Sequence, residues 1–176
     1  MAAARAVTTS AADPVGNRRA ASILALAAAA WVGVLVATPL ALGHGYVTAP
    51  ALVFHACSLI CHQRPERSFH LLGVQLPVCA RCFGLYAAGA AGAIGACLSA
   101  SRRLRGVAEP RVVLAIAALP TAITWICEQV GLWHPGGATR AIAAVPLGLA
   151  AGWVLLRSLI AGSAESREAR QVRYHS

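Results

Sequence analysis

The chain contains no lysine and a single methionine, and its 6 acidic residues face 15 basic ones, all of them arginine. Charged residues make up only 12% of its 176 positions, against roughly 25% in a water-soluble domain. That shortage excludes an ordinary soluble globule and points to a membrane protein. The absence of lysine beside abundant alanine reads as the mark of a GC-rich genome. The net charge of +9 does not indicate a nucleic-acid partner. The arginines fall between apolar spans instead of covering one polar face, so they read as topology signals.

What is abundant is apolar: 58% of the residues are hydrophobic. Residues 1–19 form an Ala- and Thr-rich tail with Arg5, Arg18 and Arg19, expected to be disordered and cytoplasmic. Ala20 to Leu42 is apolar, and about 20 such residues suffice to cross a bilayer core of ~30 Å. A cleaved signal peptide is the competing reading, but its apolar region runs to only about 7–15 residues. Val47 to Ile60 is too short to span and fits an interfacial or re-entrant helix. Cys61 to Pro77 is then a polar loop or short helix. Further spans are expected over residues 78–100, 111–133 and 139–160, with a charged cytoplasmic tail over 162–176. In the second span Gly84, Ala88, Gly92 and Ala96 recur at every fourth position. Small residues so spaced let helices approach closely in lipid. Pro120 marks a kink in the third span, one that neighbouring helices tolerate.

These spans predict an all-α, up-down four-helix bundle. The arginines of the two tails and of the 102–111 loop then share one side, the cytoplasm by the positive-inside rule. The loop 44–77 and the turn 134–138 face outward.

At that outer end the chain concentrates its chemistry. Four of the 6 cysteines, Cys57, Cys61, Cys79 and Cys82, lie within one segment with His62 and several arginines. Cys79-x2-Cys82 is a ligand knuckle, and Cys61-His62 can complete a Cys3His shell for zinc. Cys57 shares a helical face with Cys61 and is a further candidate. Soft thiolates also suit copper or iron. A second complete Cys-x2-Cys knuckle, which would make the signal strong, is missing. Cys57-x3-Cys61-His62 is one residue off the haem attachment spacing.

Two other chemistries remain open. One is thiol–disulfide exchange between Cys79/Cys82 and Cys57/Cys61, with quinone as electron partner, on the architectural plan of four-helix membrane thiol oxidoreductases. A Cys-x2-Cys opening a helix gains thiolate character there. A structural disulfide clamping the loop belongs to the same redox chemistry. The other is solute transport with Glu128 as coupling acid, because an ionisable residue within a span usually has a purpose. Glu128 is the only acid inside any span, and Arg140 or Arg81 is its expected partner. Arg67 can reach Glu66 or Glu128. Glu128, Arg67 and Arg140 are the candidate catalytic residues. His44, His55, His70, His134 and His175 are weaker candidates than His62. Cys97 reads as a small buried hydrophobe, and Cys127 stays ambiguous.

Cys61-His62-Gln63-x-Pro65-Glu66-Arg67-Ser68, with Gly73, Gln75, Pro77 and Val78-Cys79-x-Arg81-Cys82-x-Gly84, resembles the signature of a family of small integral membrane proteins of bacteria and archaea, known only as a domain of unknown function. The likeness is dense over residues 61–84 and looser through Pro120, Arg140 and Gly148. Many members carry an aspartate in the third span, where this chain has Thr124; Glu128 lies one turn further on. The resemblance implies four spans and marks Cys61, His62, Cys79 and Cys82 as signature positions. It implies no activity and does not choose between metal and disulfide.

Overall fold

The computed structural model describes residues 14–99 and 109–174. Arg102, Arg103 and Arg105, most of the N-terminal tail and His175 lie outside the described residues. Five helices are present: α1 (Pro14–Gly43), α2 (Thr48–Ser58), α3 (Ala80–Leu98), α4 (Pro110–Gln129) and α5 (Gly137–Tyr174). Between α2 and α3 the chain makes a 3-10 turn at Pro65–Arg67 and a hairpin of β1 (Ser68–Leu71) and β2 (Val74–Cys79). Stretches of four helices, Arg18–Gly43, Ala80–Leu98, Pro110–Gln129 and Gly137–Ile160, are long and apolar enough to cross a membrane. They alternate in direction, and α2 lies between the first and second as the short non-spanning helix.

Two details differ from the sequence expectation. The segment from Cys61 to Pro77 is neither a simple loop nor a helix, because most of it enters the antiparallel hairpin, with His70 opposite Gln75 and Leu71 opposite Val74. The two-residue turn puts Leu72 at φ +52° and Gly73 at φ +80°. That is the left-handed pair a tight hairpin requires, with leucine where asparagine or glycine would be the usual signal. At the other end, α5 continues as helix to Tyr174, through the charged stretch read as a tail.

The bundle is built on the seam between α3 and α5. Gly84, Ala88, Gly92 and Ala96 are all buried on α3. A methyl group added at Gly84 would strike the backbone of Ala141, and one at Gly92 the backbone of Leu149. From the other side, Gly152 lies against the backbone of Gly89. Main chains this close rely on small residues, the device expected where lipid offers no hydrophobic drive for helices to associate. Toward the end of α3 that carries Ser99, Ala21 and Ala25 of α1 pack with Ala93, Ala96 and Leu156, and Cys97 sits against this cluster. At the opposite end Leu35, Cys57, Cys61 and Val78 form a second cluster, with Trp31 packed on it.

Many large apolar side chains point away from the protein, among them Ile116, Leu119, Ile123, Ile142 and Leu155. On helices of spanning length these outward faces belong to lipid, so the chain is a multi-pass protein whose surroundings are the bilayer.

Candidate functional site

The end of α1, the start of α3, the end of α4 and the start of α5 meet at one end of the bundle, and the hairpin covers them. Phe69 of β1 meets Phe83 of α3 edge to face, with ring centroids 6.0 Å apart. Phe69 also lies against Gly137, where a Cβ would come within 3.3 Å of its ring. This contact ties the hairpin to the N-termini of both α3 and α5.

Two glutamines fix the segment leading into the hairpin. Gln63, at φ +48°, donates its side-chain amide to the Phe54 carbonyl at 2.7 Å and the Pro77 carbonyl at 2.9 Å. Gln75 donates to the Gln63 carbonyl at 2.6 Å. These bonds join α2, the connecting loop and β2, and so set Cys61 beside Cys79. The backbone N–H of Cys79 donates to the Cys61 sulfur at 3.2 Å.

Cys82 completes the group from the first turn of α3. The sulfurs of Cys61, Cys79 and Cys82 lie within 4.8 Å of one another. Cys61 is buried and the other two are half-buried. Cys79, which caps α3, has its thiol lowered to about 5. The hydrogen bond with the Cys82 thiol is the largest cause; burial opposes it, and the Cys82 and Arg81 backbone N–H groups and Cys61 assist. An ordinary cysteine titrates near 8.5, so the Cys82 hydrogen bond favours the thiolate form of Cys79. Cys57 is fully buried against Cys61. Its thiol is pushed up, first by burial and then by Cys61.

The structure does not place His62 in this group. It is exposed, and its ring is not among the ligand atoms that converge, although it lines the same pocket. In the connecting segment successive side chains leave the backbone in different directions, so Cys61 turns inward and its neighbour outward. His44, His55, His70 and His134 are exposed as well. Cys127 is half-buried and outside the group.

The candidate charged residues do converge. Glu128, whose side chain is 2% exposed, meets three arginines. Its Oε1 is 2.9 Å from Nη2 of Arg67 and 2.9 Å from Nη2 of Arg140, and its Oε2 is 3.4 Å from Nη2 of Arg81. Both partners expected from sequence are therefore present, and Arg67 is a third. Thr124 is buried and turns its hydroxyl back to the Pro120 and Thr121 carbonyls.

The cysteines and arginines face a common pocket of about 370 Å³. Its walls include Cys61, Cys79 and Cys82 together with Arg67, Arg81 and Arg140. Gln129 and Trp125 also line it; neither has a sequence signal beyond lying on the α4 turns next to Glu128.

No solved structure matches the chain. An uncharacterized protein of Methanocaldococcus jannaschii is 40% identical over 76 residues, which is 43% of this chain and 47% of that protein. An uncharacterized protein of Methanothermobacter thermautotrophicus is 56% identical over 27 residues, 15% of this chain and 24% of the relative. The chain thus spans about half the length of the first relative and about a quarter of the second. Residues 61–154, more than half of the chain, match the family described as "predicted membrane protein (DUF2085)". The matched region begins at Cys61 and contains Cys79, Cys82, Arg81, Glu128 and Arg140, and the chain belongs to this family of predicted membrane proteins.

Proposed function

We propose that this membrane protein holds one soft metal ion, zinc foremost, on the thiolates of Cys61, Cys79 and Cys82. The observation that carries the reading is the convergence of three sulfurs, not two, within 4.8 Å. A disulfide would use two of them and leave the third without a role. Zn–S bonds of about 2.3 Å set tetrahedral ligand sulfurs roughly 3.8 Å apart, a spacing reached here by small side-chain rotations. The Cys79 N–H donated to the Cys61 sulfur supports a thiolate there, since hydrogen bonds from outside the ligand set orient ligands and tune the metal.

Three protein ligands and an open fourth position are the pattern of zinc sites that act on something, whereas closed four-ligand sites are structural. All three cysteines line the pocket. His62 on its wall, or a molecule entering from it, completes the shell.

The site belongs at the outer face. Arg18, Arg19, Arg111 and Arg157 lie toward the opposite end of the bundle. The positive-inside rule assigns that end, with both termini, to the cytoplasm. Arg64, Arg67 and Arg81 count against this assignment; of these, Arg67 and Arg81 are engaged by Glu128.

Thiol–disulfide exchange is the second reading. The observation favouring it is that Cys79, its thiol lowered to about 5, lies beside Cys82 and lines the pocket. Against it, the relay needs Cys57, which is fully buried with its thiol pushed up, the mark of an inert cysteine.

Elemental analysis of the detergent-purified protein, with a free-thiol count after denaturation, separates the two. The metal reading expects about one ion per chain, lost in Cys61→Ser, Cys79→Ser and Cys82→Ser and retained in Cys97→Ser. Absence of metal, with thiols blocked until reductant is added, would sink it in favour of exchange.

A further inference from the structure

The arginine wall of the pocket carries more positive charge than the protein itself answers. Arg64, Arg67, Arg81 and Arg140 all line the pocket. Among the described residues, Glu128 is the only acid paired with any of them. Four guanidiniums against one carboxylate leave an excess of three. A divalent ion held by three thiolates would add one negative charge, and two positive charges would still stand unanswered.

The hydrogen bonds point the same way. Arg67, Arg81 and Arg140 each reach Glu128 through Nη2 alone, yet a guanidinium carries five N–H donors in a planar fork. The Nε–H groups of Arg81 and Arg140 are buried with no acceptor among the described residues, and Arg140 itself is only 6% exposed. Those two groups are shut off from the pocket space, so the donors left for a pocket molecule are the remaining Nη–H groups of the arginines that line it.

We propose that this wall binds a phosphate group. Guanidinium forks match carboxylate and phosphate oxygens. Glu128 already fills the carboxylate role, and a phosphate, singly charged as a diester or doubly charged as a monoester, is the oxyanion that meets what remains. The volume of about 370 Å³ lies at the lower end of small-molecule sites, roughly 300–1,000 Å³. It therefore has room for a phosphate with an organic group attached. Two sources present this chemistry at the end of a membrane bundle: a phospholipid headgroup and a soluble phosphate ester. The ligand lies beside the three thiolates in either case. The inference rests on the arginine side chains that line the pocket, whose excess charge remains positive with or without a metal on the cysteines.

The test uses the full chain in a phosphate-free detergent. Inorganic phosphate and glycerol phosphate are titrated calorimetrically at fixed ionic strength, and phosphatidylglycerol micelles are titrated in parallel. The expected result is saturable binding of about one equivalent, weakened roughly tenfold or more in Arg67→Gln and Arg81→Gln, as loss of a charge-assisted bond implies. Cys97→Ser, a change outside the pocket, should bind as the wild type does, and chelator-treated protein should still bind the probes, so a failed metal site and a failed phosphate site give different results. Tight binding of the soluble phosphates assigns a soluble ester, and binding of phosphatidylglycerol alone assigns a headgroup. No saturable binding of any probe, or binding unchanged in both arginine variants, overturns the proposal. Arg67→Gln removes the most exposed partner of Glu128, and a melting curve near that of the wild type shows that any loss of binding is not a loss of fold.

Discussion

Replacing Glu128 by glutamine should be the most damaging single change at the site end of the bundle. The side chain is 2% exposed and three guanidinium nitrogens lie within 3.4 Å of its oxygens. Glutamine keeps the shape and removes the charge, which leaves three cations facing one another without their counter-ion. Removing one partner of a buried ion pair costs about 3–5 kcal/mol. At about 2–4 °C per kcal/mol for a chain of this size, the expected loss in melting temperature is roughly 6–20 °C. The arginine variants should grade with burial. Arg140, with 8% of its side chain exposed, loses most when changed to glutamine. Arg67, at 34%, leaves Glu128 two partners and should cost about 1 kcal/mol or less, as partly exposed pairs do. Thermal unfolding in detergent reads all three variants. Glu128→Gln with Arg140→Gln should cost less than the two changes summed, by about 0.5–3 kcal/mol. A Glu128→Gln melting point within about 2 °C of wild type, which is less than about 1 kcal/mol, would refute the reasoning. So would Arg67→Gln costing more than Arg140→Gln.

Other consequences are separate from that ion cluster. Gly92→Leu and Gly152→Val drive side-chain atoms into the facing backbone of α5 and α3; each should cost at least the 1–3 kcal/mol of an overpacked core, read as a lower melting point. Leu72→Asn, at an 80% exposed turn position with φ +52°, should leave the protein as stable or up to about 1 kcal/mol more stable, because asparagine tolerates the left-handed region better than leucine. In protein treated with a chelator, alkylation should reach Cys79 quickly and Cys57 slowly, since Cys57 is fully buried; mass spectrometry of timed digests reads the order, and fast labelling of Cys57 would contradict it.

The spans could be read from the sequence because length and hydropathy alone define them. The α3 seam was legible too, since Gly84, Ala88, Gly92 and Ala96 repeat at helical spacing and all four are buried. Its partner surface was not, because Gly148 and Gly152 of α5 lie amid other small residues and only the packing shows what they meet. The hairpin stayed hidden because its strands are short and its turn is Leu72-Gly73 in place of Asn-Gly. Within the site, the Cys79-x2-Cys82 spacing and the lone Glu128 gave the right neighbourhood. Adjacency in sequence says less about His62: it lines the same pocket as Cys61, but its ring is not among the atoms that converge with the three sulfurs. Gln63 and Gln75 carried no signal of their clamping role, because that role depends on carbonyls supplied by α2, β2 and the connecting loop.

X-ray absorption at the zinc edge of the purified protein tests the central claim most directly. The account predicts about three sulfur neighbours near 2.3 Å and one lighter ligand, nitrogen or oxygen, with the sulfur count reduced in Cys82→Ser. A shell of nitrogen and oxygen alone, or no bound metal in protein whose Cys61, Cys79 and Cys82 thiols are free, would contradict it.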